Sequence, residues 1–324
     1  MASFPIGRKI LSIDGCGFRG RTQLLVLQSL MKQMNNPKPC DVFDLICGTA
    51  AGGLIAILLG RLKMSCDDAI KAYDDLEEGL FGGVQVSDIL STKEFATRAF
   101  QTKLMEIVKK HSGGNDFFVE KRDPRCKVRF IAHSDSSSCV NYLGQTFVTV
   151  VTRDSFDDVD PTLLRSYSKP LNPYRSWRQP DPQPSPGHKW ETWQAAIGST
   201  SCPRLFQALD VNSSLFQAAN ASGFANPSMA AYIEALDLWG PNAVFTLVSL
   251  GMGVRNRQDG LDDWQTPGPL DDRTINDVVV GLGIKLIQGS SETTLKEFIR
   301  QTKRVATNTQ VKDIRLNERT KSAG

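Results

Sequence analysis

The stretch Phe43 to Arg61, FDLICGTAAGGLIAILLGR, joins an apolar strand to an apolar helix through Gly48-Thr49-Ala50-Ala51-Gly52-Gly53. So sharp a strand-to-helix turn leaves room only for small flanking residues, and it aims its central side chain into open space. In the pattern G-x-S-x-G that side chain is the attacking hydroxyl of an acyl hydrolase. Here the centre is Ala50, and a methyl group attacks nothing. The segment therefore reads as the reactive corner of an acyl hydrolase without its nucleophile, through natural loss or through deliberate substitution.

A second small-residue turn, Asp14-Gly15-Cys16-Gly17-Phe18-Arg19-Gly20, lies between the first expected strand and the first expected helix. Residues 15–20 satisfy G-x-G-x-x-G, but dinucleotide binding also requires an acidic residue closing the second strand. Asp41 and Asp44 have the right separation and precede that strand instead. The better reading is a cradle of main-chain N–H groups at a helix N-terminus, with Arg19 adding positive charge, suited to an oxyanion. A tight βα turn with no chemistry is the plain alternative.

A serine nucleophile also needs a base. In the α/β-hydrolase order a histidine follows the serine and the acid near the C-terminus. The chain has three histidines, His111, His133 and His188, and none follows His188. His111 sits in a polar stretch and His133 near the end of an apolar strand. A Ser-His-Asp triad is therefore not expected, and a carboxylate acting directly on the nucleophile is the remaining arrangement.

The elements that must position these groups alternate between strand and helix. Strands are expected over Lys9–Ile13, Phe43–Cys47, Val128–His133, Thr146–Thr152 and Ala243–Leu250. Helices are expected over Thr22–Met34, with Leu24, Leu25, Leu27, Leu30 and Met31 inward, and over Gly52–Leu62. Another begins at a capping box of Ser65 and Asp68 and reaches Leu76, and one capped by Thr92 runs to Lys110. Two more span Trp190–Ile197 and Pro227–Trp239, and one or two lie within Arg273–Arg300. Residues 169–187 hold six prolines and read as an irregular loop, and the polar tail from Val305 reads as frayed. The alternation predicts an α/β fold of three layers, a mostly parallel central sheet with helices on both faces. One domain over 1–324 is expected, with its core at about 8–255 and a C-terminal helical extension at 256–324.

Composition narrows the partners. With 324 residues, 40% hydrophobic and 23% charged, the chain is an ordinary globular one, and a net charge of +3 argues against nucleic acid. At most it allows peripheral contact with a membrane surface. Seven cysteines without C-x-x-C spacing argue against a zinc site and for reduced thiols. No run of 18 apolar residues and no leader before the first strand are visible, so a cytoplasmic location is expected.

Taken in order, the motifs resemble the patatin-like phospholipases, lipid acyl hydrolases with a Ser–Asp dyad, and above all their fungal members. The resemblance covers roughly 8–255. It runs from Asp14–Gly20 and Gly48–Gly52 through Leu163-Arg165-Ser166-Tyr167 and Trp193-Gln194-Ala195-Ala196 with Ser199-Thr200-Ser201. It ends with Phe224-Ala225-Asn226-Pro227 and Val248–Gly253. It implies a sheet of the patatin or FabD-lysophospholipase kind. Gly15, Cys16, Gly17 and Arg19 would form and support the oxyanion hole, and Gly48, Thr49 and Gly52 the elbow. Ala50 would occupy the nucleophile's place. Asn220 would occupy the base's place, at a spacing one residue short of the family pattern, with Asp210 and Ser222 nearby as bystanders. An amide takes no proton from a hydroxyl.

Three departures at separate catalytic elements, Cys16, Ala50 and Asn220, suit a naturally degenerate site better than a laboratory knockout. The reaction implied is hydrolysis of acyl esters of phospholipid or lysophospholipid, with no metal or cofactor, and this chain is expected to be nearly inert. The alternative is a pseudoenzyme that binds lipid or protein. Acyl chemistry at Cys16 or Cys202 is a lesser reading. The apolar residues of Leu54–Leu62 and Leu76–Phe81 are expected to be core more than acyl groove.

Overall fold

The computed structural model describes residues 7–15, 20–81, 93–113, 116–119, 145–152, 162–167, 190–202, 206–212, 214–219, 224–240, 244–251, 254–255, 311–316 and 319–320. The expected strand Val128–His133, the proline-rich loop and the helices within 273–300 lie outside them.

In chain order the first elements are β1 (Arg8–Ile13), α1 (Gly20–Lys32), the short α2 (Pro39–Val42), β2 (Leu45–Thr49) and α3 (Ala51–Ala56). A π-helical turn, Ile57–Arg61, continues α3, and α4 (Cys66–Phe81) and α5 (Lys93–His111) follow. Next come β3 (Gln145–Thr152), β4 (Thr162–Arg165), α6 (Thr192–Thr200), β5 (Leu209–Val211) and β6 (Ser214–Ala218). The last are α7 (Ser228–Trp239), β7 (Phe245–Leu250), β8 (Val254–Arg255), β9 (Val311–Leu316) and β10 (Arg319–Thr320).

Among the described residues the main sheet has the order β5-β6-β3-β2-β1-β7-β9, with β4 also paired to β3. Its five central strands, β3 to β9, are parallel, and β4 and β6 run antiparallel to β3. The strand interiors are buried on both faces. On one face Leu11, Ile13, Ile46, Val148 and Val248 pack under α1, α3, α4, α5 and α6. On the other, Ile10, Leu45, Phe147, Phe245 and Leu247 pack under α7. This alternation along each strand is what two-sided helix cover demands. The expected three-layer α/β fold with a mostly parallel sheet is the one observed.

Details depart from expectation for local reasons. α1 buries Gly20, Gln23, Leu24, Leu27 and Met31, a stripe at helical spacing, whereas Leu25 points outward and is 39% exposed. β2 starts two residues late because Asp44 is held at its foot. The Asp44 carboxylate accepts from Arg8 Nη1 and from the Lys9 N–H, both at 2.8 Å. α3 and its π-turn are buried throughout, so Leu54 to Leu62 are core. Ser65 and Asp68 form the expected cap: the Ser65 hydroxyl donates to Asp68 at 2.7 Å and accepts the Asp68 N–H at 3.1 Å. That contact holds the Asp68 carboxyl below its usual range.

The C-terminal expectation needs correction. Residues 311–316 are neither frayed nor helical; they form β9, parallel to β7 along its whole length, and β10 pairs with β8. The sequence VKDIRL carries three charges, which obscures its strand character, and pairing along β7 overrides that polarity. The β5–β6 hairpin also goes beyond expectation, with Val211 opposite Ser214 across a two-residue loop and Asn212 at φ 52°. Asparagine tolerates that conformation better than most residues. Among the described residues no helix is long and apolar enough to cross a membrane.

α7 is fastened to the sheet by a buried ion pair. Arg165 at the end of β4 meets Glu234 through Nε–Oε1 at 2.7 Å and Nη2–Oε2 at 2.8 Å, and Tyr167 donates to Oε1 at 2.9 Å. Burial, reinforced by the Glu234 charge, pushes the Tyr167 hydroxyl well above its ordinary pKa. Replacing Arg165 by methionine strands a carboxylate that is 1% exposed. Arg165→Met should therefore lose about 3–5 kcal/mol of stability in urea unfolding. A loss below about 1 kcal/mol would show that the pair does not hold α7 in this way.

Candidate active site

The corner after β2 is built by the absence of side chains. A Cβ on Gly48 would collide with the main chain of Gly52 and Gly53 in the first turn of α3. A Cβ on Gly52 would run into the Ile13 and Asp14 carbonyls at the end of β1, the latter at 2.5 Å. The helix thus starts directly above its own strand and against the neighbouring one. Between these glycines Ala50 adopts φ 50° and ψ −126°, a conformation that side chains rarely tolerate. Its carbonyl accepts the Gly53 and Leu54 N–H groups at 2.9 and 3.1 Å, which begins α3. Ala50 is 5% exposed, and Thr49 beside it is fully buried, its hydroxyl without a partner among the described residues.

The expected oxyanion turn begins at the same end of the sheet. Its first residue, Gly15, is described, whereas Cys16, Gly17 and Arg19 lie outside the described residues. The Gly15 N–H donates to the Ala225 carbonyl at 2.8 Å, so this N–H is already engaged within the protein and does not serve as the oxyanion donor expected of Gly15. Asp14 N–H reaches Leu250 O at 3.0 Å, and buried Gln23 of α1 extends its Nε2 toward the carbonyls of Asp14, Leu250 and Gly251. Asn220 and Ser222 lie outside the described residues, but the ends of their segment are described. Phe224 N–H donates to Ala219 O at 3.1 Å, and the Ala225 carbonyl accepts the Gly15 N–H. Asp210 stands in β5 at the sheet edge, exposed and away from the corner.

A seam of small polar groups locks the first turn of α7 beneath these strand ends. The Ser12 and Ser228 hydroxyls hydrogen-bond at 3.0 Å, Ser228 donates to Ser249 at 3.3 Å, and Ser228 N–H donates to Asn226 Oδ1 at 2.9 Å. Asn226 Nδ2 is buried with no partner among the described residues. Cys47 lies opposite Ser12 on β2, and complete burial drives its thiol far above the ordinary pKa, so it stays protonated.

Other candidates fall away from the corner. Asp44 sits at the opposite end of β2, paired with Arg8, and Asp41 lies in α2, so neither closes the second strand as a dinucleotide site requires. His111 ends α5, and His133 and His188 lie outside the described residues. Among the described residues no three His, Cys, Asp or Glu side chains converge as metal ligands would.

The family model for patatin-like phospholipases matches residues 11–219. The chain belongs to the patatin-like phospholipase family. It is 28% identical over 250 residues to the calcium-independent phospholipase A2-gamma of Rattus norvegicus, covering 76% of this chain and 28% of that protein. It is 29% identical over 252 residues to the Homo sapiens protein of that name, with the same coverage. It is also 27% identical over 280 residues to Phospholipase A I of Arabidopsis thaliana, covering 76% of this chain and 21% of that protein. The chain thus spans less than a third of these relatives. Among solved structures, VipD from Legionella pneumophila aligns over 79% of this chain and 52% of its own, with TM-score 0.40 and 12% identity.

Motif reading missed Gln23, and it named Ser199 and Gly53 without assigning either a role at the corner. Their only signals were polarity within apolar helices and one more glycine than the elbow pattern needs. The backbone at residue 50 makes a direct prediction. Ala50→Gly should raise stability by about 1 kcal/mol by relieving positive-φ strain, whereas Ala50→Val should lower it. Thermal unfolding in which glycine at position 50 is less stable than alanine would contradict the strained corner.

Proposed function

We propose that this chain is a lipid acyl hydrolase by descent whose chemistry is switched off at residue 50. The observation that carries the reading is the backbone of Ala50, held at φ 50° and ψ −126° at the start of α3, against the end of β1. A corner of that shape presents one side chain to a bound ester. Membership of the patatin-like phospholipase family supports acyl-ester hydrolysis at the level of the family.

In the active form of such a site, a serine hydroxyl at position 50 attacks the acyl carbonyl. A carboxylate at position 220 takes its proton, and the N–H groups following Gly15 hold the oxyanion. The Gly15–Ala225 bond and the reach of Gln23 to the Asp14 carbonyl support a fixed start for that turn. With a methyl at 50 and an amide at 220, attack and proton transfer are both lost, while the cradle and the binding surface persist. The substrate class is an acyl ester of phospholipid or lysophospholipid, met at a membrane surface from the cytoplasmic side.

A second reading, a binding module that keeps the fold and sheds the chemistry, is favoured by the corner itself. The strained geometry persists in a chain where it serves no attack.

The test is fatty acid release from phosphatidylcholine vesicles by the unaltered chain, Ala50→Ser, and Ala50→Ser with Asn220→Asp. The unaltered chain should release none above background. The double variant should exceed it by on the order of a thousandfold or more. Turnover by the unaltered chain overturns the switched-off reading. A silent double variant that co-purifies with lipid establishes the binding module instead.

A further inference from the structure

The corner's shape depends on a residue far away in the chain. Ser199, fully buried in α6, donates its hydroxyl to the Ala50 carbonyl at 3.3 Å. That oxygen already accepts two N–H groups of α3, so three donors converge on one carbonyl. The direction of this C=O is the ψ angle of residue 50, and ψ with φ sets where the side chain at 50 points. Gly53 supplies an independent second observation. A Cβ there would overlap the Ser199 hydroxyl and lie 3.0 Å from the Ser199 Cβ. The third glycine of the corner is therefore required chiefly by Ser199; the Gly48 carbonyl of the turn itself is less crowded, at 3.3 Å.

We infer that Ser199 is the positioning residue of the corner, holding the Ala50 peptide so that the side chain at 50 faces the site, and that Gly53 exists to admit its hydroxyl. Ser199 touches no reacting atom; it acts through the backbone of residue 50. The inference rests on position 50 being the nucleophile's place, and it assigns Ser199 and Gly53 roles that the elbow pattern does not contain.

A thiol introduced by Ala50→Cys reports on that direction without any hydrolysis. Its rate of alkylation by iodoacetamide is followed by mass spectrometry of the peptide that contains it. The buried native thiols compete little: burial pushes Cys66 up to about 12, and Cys47 still further. In this background Ser199→Ala should slow alkylation by about tenfold, because a side chain turned away from the site loses the reagent access and thiolate stabilisation that reactivity depends on. Gly53→Ala should do the same by displacing the hydroxyl, and Ser199→Thr, which keeps it, should recover the rate. A crystal structure of Ser199→Ala should show ψ of residue 50 moved from −126°.

An unchanged alkylation rate with an unmoved ψ overturns the inference. So does a loss that threonine at 199 fails to restore. If the introduced thiol does not react even beside Ser199, position 50 is no reactive corner and the functional reading fails; ψ in the Ser199→Ala structure then decides the inference by itself.

Discussion

One steric constraint organises this end of the molecule: the first turn of α3 must sit directly on the end of β2 and against the end of β1. The contact distances leave no space for a Cβ at Gly48 or Gly52, so main chain meets main chain. Such an approach forces residue 50 into a conformation that L side chains avoid, and the surrounding structure has to hold it there. The α3 hydrogen bonds, the Ser199 hydroxyl and the buried α3 core residues all contribute to that hold. The glycines are therefore requirements of the packing and not signs of a loose loop.

The same strand ends are joined to one another by polar bonds. Gln23 draws together the carbonyls that close β1 and β7, and Gly15 binds the segment leading into α7. Ser12, Ser228 and Ser249 fasten α7 from below, while Arg165 and Glu234 fasten it at mid-length. Buried polar groups of this kind are stable only when they are paired, which fixes the register of three strands and one helix together. The consequence for function is a rigid floor. The parts that would do chemistry project from strand ends that cannot slide.

Much of this was legible in the residues. The helical stripe of α1, the Ser65–Asp68 cap and the apolar strands declare themselves through short-range patterns. The corner does so in part, because Gly48 answers to Gly52 and Gly53 within five positions, whereas Gly52 answers to the end of β1 and Gly53 to Ser199. Less was legible where a partner far along the chain decides the outcome. Leu25 looks like core by composition, but the rotation of α1 turns it to solvent. β9 looks like a polar tail until β7 offers it a full row of hydrogen bonds. The β5–β6 hairpin turns on Asn212, whose positive φ no apolar pattern announces.

By itself, the sequence determined the question at issue: a small-residue turn with a methyl where the family resemblance expects an attacking group, since the run of small residues in a tight turn is local and readable. Tertiary structure alone decided what holds that turn in place. Ser199 stands 149 positions from Ala50, and Gln23 stands 227 from Leu250. Contacts at such separation follow from the order of strands in the sheet and from which helix covers which face. No window of neighbouring residues carries that information.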